Sequence, residues 1–160
     1  MTKYHRTVCL LSIAVAILTL EIKGQTTIAP QKPTTPKLSV AQNLNKAAME
    51  CQSRLGVNQA FMSLLSTKNI PTNEKMRCFL LCVYETLGLV KDNKFIGSNA
   101  RLMAARRFAE PELSKANQLI DVCEKSIVVP SNSTEFCALG RLVRKCFKEE
   151  GEKIDFFPRA

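Results

Sequence analysis

Seven cysteines among 160 residues are the side chains with the most chemistry to offer. A thiol can act as nucleophile, metal ligand or half of a disulfide, and its spacing and neighbours decide among these. Cys9 stands alone in an apolar start. The others, Cys51, Cys78, Cys82, Cys123, Cys137 and Cys146, are separated by 26, 3, 40, 13 and 8 residues. A zinc site built on them would want histidines or Cys-x-x-Cys pairs. The sequence has no such pair, and its single histidine is His5. A thiol nucleophile would lack the usual base for the same reason. No Gly-x-Ser-x-Gly, Walker loop or dinucleotide fingerprint occurs. The paired carboxylates Glu149 and Glu150 sit in a charged, solvated stretch. These absences argue against an enzyme, a metal centre or a bound cofactor. Cross-linking is the chemistry that remains.

Residues 76–95, MRCFLLCVYETLGLVKDNKF, must position two of the thiols. Cys78 and Cys82 are four apart in a run of helical character and so lie one turn above each other. Their Cβ atoms are then about 5–6 Å apart, where a disulfide needs roughly 3.5–4.5 Å. Each must reach a different element, which makes this helix a hub stapled twice to its surroundings. Cys137 and Cys146, nine apart, are half a turn out of phase and about 13.5 Å apart along a helix. Excluding both pairs reduces the fifteen connectivities open to six cysteines to ten.

The expected organisation has three parts. Residues 1–24 read as a signal peptide, with Lys3, His5 and Arg6 ahead of an apolar run at 8–20 too short to span a membrane comfortably. Its removal takes Cys9 and leaves an even six cysteines, the mark of a secreted disulfide framework. Residues 25–38 form a Thr/Pro-rich flexible arm, and residues 39–160 a helical domain. The whole chain carries a net charge of +9, which becomes +7 once Lys3, Arg6, Glu21 and Lys23 are gone. Nothing has the aromatic and basic interleaving of a nucleic-acid binder. No later apolar run reaches spanning length, so no stable membrane anchor is expected.

Periodicity and punctuation predict an all-α fold of about six short helices. Ser39 and Gln42 make a capping box for the first, which Gly56 closes. A short second helix covers 58–66. Thr72 caps the hub, and Gly88 ends it. Residues 91–94 form a turn, Ser98 opens a fourth helix, and Pro111 starts a fifth with Leu113, Ala116, Ile120, Cys123 and Ile127 on one stripe. Asn132 and Glu135 read as a capping box for the sixth, to about Glu149. Asn132-Ser133-Thr134 is also an N-glycosylation sequon that competes for the same side chain, and capping is the favoured reading. On the sixth helix Phe136, Gly140, Val143 and Phe147 share one face. Arg141, Arg144, Lys145 and Lys148 cluster on another.

The cysteine spacing, with CVYETLGLVKDNKF from the third cysteine of the set onward, closely resembles the insect odorant-binding protein family, pheromone-binding proteins included. The likeness runs over residues 39–158. It implies helices around an apolar cavity and interlocked bridges Cys51–Cys82, Cys78–Cys137 and Cys123–Cys146, one of the ten surviving connectivities. It further implies that Leu89 and Phe95 border the cavity and that Gly140, Val143 and Phe147 line it. The tail at 154–158 would fold back as a wall, with Phe157 as its inward aromatic. The gap of 13 residues before Cys137 is longer than the family's usual one.

The resemblance implies a secreted, extracellular carrier of small hydrophobic molecules such as odorants or pheromones. Its partners would be a small apolar ligand and, on the same grounds, an olfactory receptor or a second copy of the chain. Two other readings stand beside it. The same cavity could serve in saliva or reproductive secretions, or Arg141, Arg144, Lys145 and Lys148 could bind anionic membrane or glycan.

Overall fold

A computed structural model of the chain describes residues 38–154. The expected signal peptide, all but the last residue of the arm, and the tail beyond Ile154 with Phe157 lie outside them. Six α-helices occur among the described residues: α1 (Val40–Leu55), α2 (Ser63–Ser66), α3 (Glu74–Thr86), α4 (Gly97–Arg107), α5 (Glu112–Ser126) and α6 (Ala138–Lys153). A 3-10 turn, Gln59–Met62, leads into α2, and a two-residue hairpin, β1 (Val90–Lys91) with β2 (Lys94–Phe95), joins α3 to α4. The all-α class expected from the sequence holds.

Local chemistry sets most of the helix ends. Ser39 and Gln42 form a reciprocal capping box on α1. The hub is α3, and its cap is Asn73 rather than Thr72: the Met76 N–H donates to Asn73 Oδ1 at 2.9 Å. Asparagine outranks threonine at this position. At the far end Gly88 takes a left-handed φ of 71°, its N–H donating to the Glu85 carbonyl and that of Leu89 to the Tyr84 carbonyl. These two bonds satisfy carbonyls that the last turn would otherwise leave open. Asp92 and Asn93, both at positive φ, make the tight turn that lets Val90 lie opposite Phe95. The first residues of α4 are tied back to the hub by Asn99 Nδ2, which donates to the Gly88 carbonyl at 2.7 Å.

None of residues 78–84 is exposed, as the all-round apolar character of that run requires. The hub packs on α1 along one side and on α6 along the other. Phe79, Leu80 and Val83 anchor one apolar cluster with α1 and the segment at 59–66. Leu119, Ile120, Leu139 and Val143 anchor a second, shared by α4, α5 and α6. Tyr84 packs against both. Three disulfides bind this arrangement: Cys51–Cys82, Cys78–Cys137 and Cys123–Cys146. They are the pairs that the resemblance implied, and both hub thiols leave α3 for different partners.

The approach to α6 differs from the expected one. The helix begins at Ala138, and its first flanking residue is Cys137, at φ 56°, with no side-chain cap. Asn132 and Glu135 therefore form no capping box. Glu135 has stronger partners: it accepts from Arg141 Nε at 2.6 Å and pairs with Arg77 of the hub at 3.2 Å. Arg77 Nε also donates to the Phe136 carbonyl. Asn132, freed from capping, is exposed in a turn. Phe136 precedes the helix and is 71% exposed, so it is no member of the apolar stripe.

Gly140 is buried where α6 crosses the hub, not on a cavity wall. A Cβ there would run into the carbonyl of Arg77 and crowd the Leu81 backbone. Rigid backbone cannot step aside as a side-chain end can. Gly140→Ala is therefore expected to lower stability by about 2–3 kcal/mol, at or beyond the usual range for overpacking, as read by urea unfolding of the oxidised protein. An unchanged midpoint would contradict this close crossing.

Candidate ligand-binding hollow

The apolar hollow of the second cluster lies between α4 and α5 and has a volume of about 220 Å³. From α4 come Ala100, Met103, Ala104 and Arg107, which follow the i, i+3, i+4, i+7 pattern of one helix face. Ala116, Leu119 and Ile120 of α5 supply the opposite wall. Val40, Leu89, Phe108 and Phe147 complete the lining. Three of the facing residues are alanines, and the space exists because those side chains stop at Cβ. Other hollows mix polar and apolar groups; one of about 480 Å³, for instance, has Asn58, Ser63, Asn69, Thr72 and Lys148 in its wall.

The site residues expected from the sequence meet four different outcomes. Leu89 and Phe147 line the hollow. Leu89 is fixed there by its backbone, its N–H bonded to Tyr84 and its carbonyl accepting from Ile96 at 2.9 Å. Phe95 and Val143 stand behind the wall in the same cluster; the Phe95 ring meets Phe147 edge to face at 5.7 Å. Gly140 belongs to the helix crossing described above, and Phe157 lies outside the described residues. The alanine faces of α4 and α5 went unremarked in the sequence, although their four-residue spacing, Ala100 to Ala104, was there to be read.

The sequence model of the PBP/GOBP family matches residues 35–150. The chain belongs to the PBP/GOBP family. The structure is similar to that of an odorant-binding protein from Drosophila melanogaster, with a TM-score of 0.60 and 21% identity over 72% of this chain and 94% of that one. At that identity the likeness is one of fold. No curated protein sequence matches the chain.

The PBP/GOBP fold places few charges near its interior here. Burial pushes the Tyr84 phenol up, partly opposed by the Arg144 guanidinium, so Tyr84 stays protonated. The cationic cluster expected on α6 is not a continuous face. Arg141 is committed to Glu135, Arg144 and Lys148 are half-buried, and of the four only Lys145 is exposed. Among the described residues no group of three or more His, Cys, Asp or Glu could hold a metal, and no helix is long and apolar enough to cross a membrane.

Glu135 holds the loop before α6 against two helices. The hydrogen bonds from Arg141, then the charges of Arg141 and Arg77, pull its carboxyl below the usual range against an opposing effect of burial. A depressed folded pKa gives stability that is complete above the unfolded carboxylate range and is lost as pH falls through the folded value. Glu135→Gln is thus expected to cost up to about 1 kcal/mol at neutral pH. In acid the variant and the parent should converge. Thermal melts across pH check this, and a constant difference at all pH values would contradict it.

Proposed function

We propose that the protein is a secreted carrier that holds a small apolar molecule in the hollow between α4 and α5. The observation that carries this reading is the hollow itself, walled almost wholly by apolar side chains in a cross-linked helical shell. Its volume of about 220 Å³ lies between an apolar void of about 150 Å³ that admits benzene and the roughly 300–1,000 Å³ of drug-sized pockets. The ligand is accordingly compact, of about nine carbons by the benzene ratio. Burying about 250 Å² of such a molecule yields about 6 kcal/mol before entropic losses, which suits micromolar or weaker binding. Three disulfides support an oxidising, extracellular compartment. Olfactory lymph and other secretions are both such compartments.

The surface-binding alternative has lost its patch, since Arg141 and Arg144 do not face water freely. Calorimetric titration of the mature protein with octan-1-ol is expected to show saturable binding at about one ligand per chain. Ala104→Phe, which sends a ring into the hollow, should weaken that binding at least about tenfold, with little loss of thermal stability because space is available. No saturable uptake of octan-1-ol or of a benzenoid of similar size would end the carrier reading.

A further inference from the structure

The wall of the hollow is apolar except at Arg107. This side chain sits in the last turn of α4, is exposed, and marks where the hollow reaches solvent. A long arginine can lay its stem along apolar lining while its guanidinium stays in water. The guanidinium is 5.4 Å from the centre of the Phe108 ring, another rim residue. No Asp or Glu lines the hollow, and no carboxylate pairs with Arg107 among the described residues. Arg77 and Arg141 are committed to Glu135, and Arg101 to Asp121 and Glu124; Arg144, whose Nε and Nη2 are buried without a hydrogen-bond partner among the described residues, does not line the hollow. Arg107 thus presents five N–H donors, in a fork that matches a carboxylate, at the mouth of an apolar space.

Resting on the carrier reading above, we propose that the hollow takes ionised medium-chain carboxylic acids, with the alkyl chain inside and the carboxylate on Arg107 at the rim. A carboxylate drawn fully inside would lose its water with no partner to replace it, at a prohibitive cost. At the rim it keeps part of its hydration and gains a charge-assisted, two-point contact. A hydrocarbon leaves the guanidinium merely solvated, and an alcohol offers it a neutral acceptor. The net charge of +7 expected of the mature chain, +9 less Lys3, Arg6 and Lys23 and with Glu21 also gone, favours the approach of anions in the same sense.

The test is calorimetric titration of the oxidised mature protein with octanoate and with octan-1-ol at low and at physiological salt. It compares the parent with Arg107→Gln and Arg106→Gln. Arg106 carries the same charge one residue away but lines a different hollow, beside Glu50. Circular dichroism checks that both variants fold. The expected result is a fall of about fivefold in the octanoate-to-octanol affinity ratio for Arg107→Gln, greatest at low salt, and no such fall for Arg106→Gln. An unchanged ratio in Arg107→Gln overturns the proposal, as does an equal fall in both variants, which would mark a diffuse field. Parent protein that binds octan-1-ol but not octanoate overturns the proposal and leaves the carrier reading standing. Parent protein that binds neither overturns both.

Discussion

Two thiols four residues apart on one helix are too far apart to bond to each other, and the rest of the fold follows from where they go instead. Cys82 turns to α1 through Cys51, and Cys78 turns to the start of α6 through Cys137. The hub is thereby fixed between the two elements that it also packs against. Burial of Phe79, Leu80 and Val83 and the closing of two covalent loops act in the same direction. The third bridge, Cys123–Cys146, carries the constraint outward by tying α5 to α6. The hollow lies between α4 and that secured α5, so its far wall is anchored and its near wall hangs on the hairpin and on ion pairs.

Those weaker ties have a consistent design. Arg101 of α4 meets Asp121 and Glu124 of α5. The Glu124 carboxylate also fits over Gly97, where a Cβ would collide with it. That places negative charge at the positive end of a helix whose cap residue, Ile96, offers no side-chain bond. Exposed pairs of this kind contribute little each. The α4 wall is therefore held less firmly than the disulfide-tied hub, and Met103 and Phe108 lie on the softer side of the hollow.

Sequence alone gave a good account of whatever is decided within one turn of helix. Ser39 with Gln42, the reversal at Gly88 and the stripe from Leu113 to Ile127 all depend on neighbours a few residues apart, and all are present in the structure. The loop before α6 departs from its local pattern because Glu135 has stronger partners than a helix N-terminus. Two guanidinium groups outcompete a backbone N–H for a carboxylate, and one of them, on Arg77, belongs to the hub and is invisible to local pattern. Gly140 was misplaced for a related reason. Helical phase put it correctly on the inward face of α6, but phase cannot say whether that face meets a cavity or another backbone. The alanines of α4 and α5 carry no local signal of a hollow, because periodicity records where apolar side chains are, and a cavity depends on where they stop.

A hollow of this size is expensive to keep. Because the hollow opens to solvent at its rim, its apolar lining stays partly wetted, and each Å² left unburied forgoes about 25 cal/mol. Each cross-link, closing a loop with a sequence separation of 23, 31 or 59 residues, stabilises by roughly 3–4 kcal/mol. They hold the helices in place around an apolar hollow that a shell held by side-chain packing alone would tend to close by collapse. A guest that fills the space returns the missing contacts without moving the cross-linked helices. The same disulfides thus make an open apolar hollow tolerable, and the contacts that would fill it are ones that the fold itself leaves unmade.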